Sequence, residues 1–274
     1  MQLRYDTTDT TIAMPQWGYS VKIVYPFVTT KLSNKKYAKW DSGANYDKRY
    51  LNCSWLMQLS EAETLSELFR DPAKGRGKII TFKLGATETG FFPFGVDKGD
   101  KGDFQAVLTD LKLPASQGHP SDLFTISATF MFVGSYPAYS LPTVFPEGNL
   151  TVGTCANLRY PEAMHDQSIS HGVTVKETEN YSAYVLDRGI SADSYEAGLN
   201  LDLLGANMAK LVDFLSGASG RASDITVTPP ANSYLFGIVN GSTDDYTCKW
   251  LDNELEIVHN GYDQFSTSIN LGLN

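Results

Sequence analysis

Hydrophobic positions along this chain change period in the same order twice. In the first half Cys53, Trp55 and Met57 stand at every second position, the spacing of a strand with one buried face. Ala62, Leu65, Leu68 and Phe69 follow at helical spacing and form one amphipathic stripe. In the second half Leu199, Leu201 and Leu203 repeat the alternation, and Met208, Leu211, Phe214 and Leu215 repeat the stripe. The offset is 146 positions throughout, from Cys53 to Leu199 and from Phe69 to Leu215.

The same offset joins the flanking signals. Trp40-Asp41-Ser42-Gly43 matches Leu186-Asp187-Arg188-Gly189. Each reads as a tight hairpin turn in which Gly43 or Gly189 supplies a positive φ. Ser60 with Glu63 predicts a capping box on the first helix, and Gly205-Ala206 a weaker cap on the second. Both helices run into glycine-rich stops, Lys74 to Gly77 and Gly217 to Gly220. A strand follows each in the same frame, Ile79 to Leu84 and Ile225 to Thr228. Gly90 to Gly95 and Ser233 to Gly237 read as short aromatic strands. In the last strand Phe124, Ile126, Ala128 and Phe130 match Phe265, Thr267, Ile269 and Leu271, now at an offset of 141 (Phe124 to Phe265). Loops absorb the lost residues at little cost.

Upstream, Tyr19 to Tyr37 carries Val21, Ile23, Val24, Phe27 and Val28, and the more polar His165 to Ala183 corresponds. A long hairpin or extended arm is expected in each, either paired with a neighbouring molecule or serving as an ordinary strand of its own domain. The pattern predicts a mainly β (α+β) chain of two tandem units, each with one helix. The first occupies 1–135 with an N-terminal arm and the second 155–274. A proline-rich linker, 136–154, contains Pro137, Pro142 and Pro146.

The 274 residues suffice to bury a core without staples. The 15 tyrosines and 14 phenylalanines fit pleated, half-buried surfaces. A formal charge of −9 argues against binding a phosphate backbone, but not against letting nucleic acid slide past. Cys53, Cys155 and Cys248 are odd in number and far apart, so buried free thiols are expected. The first dozen residues are polar, and no run approaches a membrane span, so a cytoplasmically made chain without a membrane anchor is expected.

Candidate chemistry is sparse. His165 and His171 lie six apart with no third ligand in view, and His119 and His259 stand alone. Asp97, Asp100 and Asp103 cluster, but interleaved lysines break a calcium-loop pattern, and Gly241 to Asp245 does not repeat it. Gly85 and Gly90 have phosphate-loop spacing, but Phe91-Phe92 stands where Lys and Ser or Thr are needed. No nucleophile elbow occurs. No enzyme activity, cofactor or metal is expected.

The hairpin at Asp187, the strand Ala197-Gly198-Leu199-Asn200-Leu201, the helix end Ala209 to Leu215, Val227-Thr228-Pro229-Pro230 and Cys248-Lys249-Trp250 resemble lambda-type phage minor tail, or distal tail, proteins. The likeness runs from about Leu186 to the C-terminus. Trp55 and the helix stripe Leu65, Leu68 and Phe69 follow the same layout more loosely. The resemblance implies a tail-tube-like fold, a β-sandwich or small barrel with one flanking helix. It implies a ring at the tail tip between the tube and the hub, baseplate or fibre proteins, with DNA passing through the centre. It places the chain in the virion, assembled in the host cytoplasm. Asp41, Gly43, Asp187 and Gly189 are then expected at ring contacts, and Leu65, Leu68, Phe69, Leu211, Phe214 and Leu215 in the helix cores. Carrying the unit twice departs from the family pattern. It allows either a trimer with pseudo-six-fold symmetry or a hexamer. Alternatives are the main tail-tube protein, a tandem-domain hub, or a carbohydrate-binding module using Trp17, Trp40 and Phe91 to Phe94.

Overall fold

The computed structural model describes residues 2–5, 8–12, 15, 19–32, 36–42, 47–71, 75–83, 104–112, 123–133, 146–161, 167–170, 173–177, 183–187, 193–231, 233–236, 238–239, 245–261 and 263–274. The protein is mainly antiparallel β with two long helices. The first half supplies β1 (Gln2–Tyr5), β2 (Thr8–Thr11), β3 (Ser20–Val24), β4 (Phe27–Lys31), β5 (Tyr37–Asp41) and β6 (Lys48–Gln58). Then come α1 (Leu59–Arg70), β7 (Ile79–Lys83), β8 (Phe104–Lys112) and β9 (Leu123–Phe132). The second half supplies β10 (Leu150–Val152), β11 (Cys155–Leu158), β12 (Gln167–Ser170), β13 (Val173–Glu177), β14 (Ala183–Asp187) and β15 (Ser194–Leu204). It continues with α2 (Gly205–Ser216), a single turn α3 (Ala218–Arg221), β16 (Ile225–Thr228), β17 (Tyr234–Leu235) and β18 (Ile238–Val239). The chain closes with β19 (Tyr246–Trp250), β20 (Glu254–Gly261) and β21 (Gln264–Leu273).

Neighbour order in the first half is β2-β1-β7-β8-β9-β6-β3, and in the second β11-β10-β16-β19-β21-β15-β12. Registers agree as well. Cys53, Trp55 and Met57 face Ala128, Ile126 and Phe124, while Leu199, Leu201 and Leu203 face Ile269, Thr267 and Phe265. Hairpin β4–β5 pairs Phe27 with Asp41 through Lys31 with Tyr37. Hairpin β13–β14 pairs Val173 with Asp187 through Glu177 with Ala183, the same pairs 146 positions on. Alternation puts the apolar set of each long strand on one face, where it is buried.

Both long strands run straight into their helices without a loop. This moves the first cap from the expected Ser60 to Gln58. The helix starts at Leu59, and the Gln58 N–H donates to the Glu61 carboxylate at 3.4 Å. In the second half the N-cap is Leu204, and the residue at the Glu61 position is Asn207, too short to reach back. Glu147 substitutes from outside the helix. Its carboxylate accepts the Leu204 N–H at 3.1 Å and also the Asn207 side-chain amide. The stripe residues Leu65, Leu68, Phe69, Leu211, Phe214 and Leu215 are all buried.

Two boundaries differ from the sequence reading. The common frame slips by one after the helices. Ile80, not Ile79, is the buried counterpart of Ile225, and Ile79 is 54% exposed. Gly75 and Gly220 then correspond. A Cβ on either would strike a helix carbonyl, that of Leu68 at 2.6 Å or of Phe214 at 2.4 Å. The first helix-to-glycine connection is one residue longer, and the loop absorbs it. Second, Leu150 to Val152, read as linker, is a buried strand bonded to β16.

Candidate assembly interface

One short strand joins the halves. β3 bonds β6 on one edge and β20 on the other, so that Ile23 faces both Arg49 and Leu255. The sheet is therefore continuous from β2 to β11. Beyond it the Tyr25 N–H donates to the Asn253 carbonyl at 2.8 Å, and hairpin β4–β5 lies across the second half. Tyr25 and Phe27 meet the buried Trp250 edge-on, at 5.1 and 5.3 Å between ring centres. Such aromatic pairs contribute about 0.5–1.5 kcal/mol each beyond burial. Burial pushes the Tyr25 hydroxyl up to about 12. The Lys39 ammonium sits 3.8 Å from the Phe27 ring centre and 5.1 Å from that of Trp250. Burial, followed by the charge of Lys249, lowers the Lys39 pKa to about 7.

At the base of the hairpin, Arg221 of the second half is 1% exposed. Its two terminal nitrogens donate to Asp41 and Asp47 of the first half, each at 2.8 Å. Burial pushes the Asp47 carboxyl up, against the pull of Arg221. Along the hairpin Tyr37 donates to Glu196, and Lys31 pairs with the same carboxylate at 3.0 Å. The Tyr37 hydrogen bond is the main cause holding Glu196 below its usual range. The Tyr37 ring fills the space over Gly272, where a Cβ would lie 2.4 Å from it.

This geometry corrects the expected role of the Asp-x-Gly segment. Asp41 pairs with Phe27 at the base of the hairpin, not at its tip. The far end is closed instead by the Leu32 N–H donating to the Lys36 carbonyl at 2.8 Å. Asp187 likewise ends β14 opposite Val173. Gly43 and Gly189 lie outside the described residues. The sequence reading missed Arg221, Lys39 and Glu147. The repeated Gly-Arg of Gly75-Arg76 and Gly220-Arg221 would have flagged the first, had the one-residue slip been seen.

Some surfaces among the described residues remain uncovered. Val28 and Trp40 face each other across the hairpin and are both exposed. On the face of the sheet turned away from the core, a groove of about 630 Å³ is lined by Asp202, Asp252, Glu254 and Glu256 with Asn and Ser neighbours.

Other candidate chemistry is accounted for by packing or lies elsewhere. Cys53, Cys155 and Cys248 are buried free thiols, and burial raises all three pKa values. His259 is buried between the rings of Tyr19 and Phe265. Among the described residues no group of His, Cys, Asp or Glu is placed to hold a metal, and no helix is long and apolar enough to cross a membrane. His119, His165, His171, Asp97, Asp100, Asp103, Trp17 and Phe91 to Phe94 lie outside the described residues. A scan against protein-family models returns no match for this chain, and a search of curated proteins returns none either.

Proposed function

We propose that this chain is a non-enzymatic structural protein of a phage tail: two tandem tail-tube-like β units, each a sandwich or barrel with one flanking helix, assembling into a ring at the distal end of the tail. The ring sits at the virion's tail tip, assembled in the host cytoplasm. It lies between the tube protein on one side and hub, baseplate or fibre proteins on the other. The observation that carries the reading is the agreement in strand order and register between the halves. Patterning alone produces similar composition, but not the same partner opposite each residue. The first unit covers 1–135. The second begins before residue 155, because β10 pairs with β16 as β1 pairs with β7.

Two like units joined head to tail already contain one step of a rotation, and repeating that step closes a ring when the angle permits. Three chains would give pseudo-six-fold symmetry, and six would give a hexamer. The groove with Asp202, Asp252, Glu254 and Glu256 provides an acidic wall past which DNA slides without sticking. The chain needs no cofactor for this work. A main tube protein or a tandem hub would share the fold, and copy number per particle separates them.

Light scattering on the purified chain, with electron-microscope images of the same sample, tests the proposal. A mass of three or six chains and a ring with a central aperture are expected. A monomer at every concentration would sink it. The exposed Trp40 favours one reading of another class, a carbohydrate-binding module, which a monomer retained on a glycan array would support.

A further inference from the structure

We propose that β12 and hairpin β13–β14 dock on the first half of another copy of this chain, as β3 and hairpin β4–β5 dock on the second half of their own. The inference rests on the tandem reading above and gives the contacts at the joint between chains.

The inner joint is the template. In it Ile23 on β3 is wholly buried, with β20 bonded along one edge of its strand. Its counterpart Ile169 on β12 pairs with Tyr195 as Ile23 pairs with Arg49. The other edge of β12 has no partner among the described strands, and Ile169 is 42% exposed. An apolar side chain left in water where its counterpart is covered marks a missing neighbour.

Charge repeats the same logic. The cation of the inner joint is Arg221, which donates to Asp41 and Asp47. The counterpart of Arg221 is Arg76, next to Gly75 as Arg221 is next to Gly220, and it is exposed. The counterparts of Asp41 and Asp47, 146 positions on, are again aspartates, Asp187 and Asp193. Arg76 of one chain can therefore receive the acidic base of the next chain's arm.

Size is exchanged rather than repeated. In the inner joint a large ring, Tyr37, rests on Gly272. At the corresponding positions stand Ala183 and Met131, small on the arm and large on the sheet. The total volume of the contact is roughly kept, which packing tolerates best. Phe27 against Trp250 becomes Val173 against Leu108, smaller on both sides, so this contact is lighter than its counterpart.

The test is a charge swap in the full chain, read by analytical ultracentrifugation. Arg76→Glu is expected to weaken self-association about a hundredfold, because like charges then face each other. At a concentration low enough to keep the chain monomeric its thermal midpoint should not change, since Arg76 is exposed. Arg76→Glu combined with Asp193→Arg should restore assembly, a recovery that general damage would not produce. Ile169→Lys should weaken association without any charge partner at Arg76. If the wild-type chain assembles and neither Arg76→Glu nor Ile169→Lys alters its mass, this joint is wrong while the ring reading stands. If the wild-type chain never assembles, both fall.

Discussion

The two halves repeat one strand order but fill it with different side chains, within a single cluster of buried residues. In the first, Phe130 gathers Phe82, Phe69 and Trp55 at 4.9, 5.5 and 6.3 Å between ring centres. The corresponding positions in the second half are Leu271, Val227, Leu215 and Leu201, all aliphatic and all buried. Strand pairing is therefore set by which positions are apolar, and the choice of side chain is made afterwards within a fixed volume. The aromatic core concentrates its contacts on one ring, so it should be the easier to break. Phe130→Ala is expected to cost about 3–5 kcal/mol. Leu271→Ala should cost less, because a smaller side chain is removed. Urea midpoints of the two variants check the order, and equal losses would mean that the aromatic cluster confers nothing beyond volume.

The second contrast is between two arginines at one position. Arg221 is buried on two carboxylates, whereas Arg76 is exposed. Arg221→Met should destabilise the folded chain by about 3–5 kcal/mol, because the buried guanidinium that Asp41 and Asp47 share is lost. Arg76→Met should change monomer stability by no more than about 0.5 kcal/mol. Thermal unfolding at low protein concentration, where assembly does not contribute, gives both numbers. A large loss for Arg76→Met would mean that Arg76 is bound within its own chain.

The helix starts differ more subtly. Glu61 closes its cap locally, from an exposed position and over 3.4 Å. Glu147 does so across a tertiary contact at 3.1 Å, and also holds the fully buried Asn207. Glu147→Ala is expected to cost about 0.5–2 kcal/mol, the range of a lost cap, and Glu61→Ala less. Amide exchange in the first turn of α2 should rise in step. If both substitutions cost the same, Glu147 acts only as a surface residue.

These contrasts mark what a single sequence can reveal. Alternation and helical stripes displayed the strands, the helices and their repetition, because burial on one face leaves a period in the chain. The hairpin arms were visible for the same reason. The tip of the first hairpin was misplaced because Asp-x-Gly is a turn signal that also suits the end of a strand. Glu147 and Lys39 leave no such trace, and Arg221 shows only as the second of two Gly-Arg pairs. Their partners lie far away in the chain, and a lone charged residue carries no period. The joint between the halves combines such residues with β3, whose two edges bond to strands far apart in the chain.

Lys39 gives the most specific effect, because it is read as a dependence on pH. It lies under the arm against Phe27 and Trp250, and its counterpart 146 positions on is Val185, which cannot titrate. Burial lowers its pKa from 10.5 to about 7, because the charged form loses water there. Between those two values the unfolded chain binds the proton more readily than the folded one. Stability should therefore rise with pH from about 7 upward, and this contribution should be flat below that point. The three buried thiols work in the opposite sense above pH 9, where they ionise only on unfolding. The clean window is thus pH 7 to 9. Lys39→Met should flatten the rise across it and be the more stable chain at pH 7, where the wild type still carries a poorly hydrated charge. Urea midpoints at pH 7, 8 and 9 for the two proteins decide the matter. Parallel slopes would mean that the ammonium keeps its water and that the arm is not clamped on Trp250 in solution.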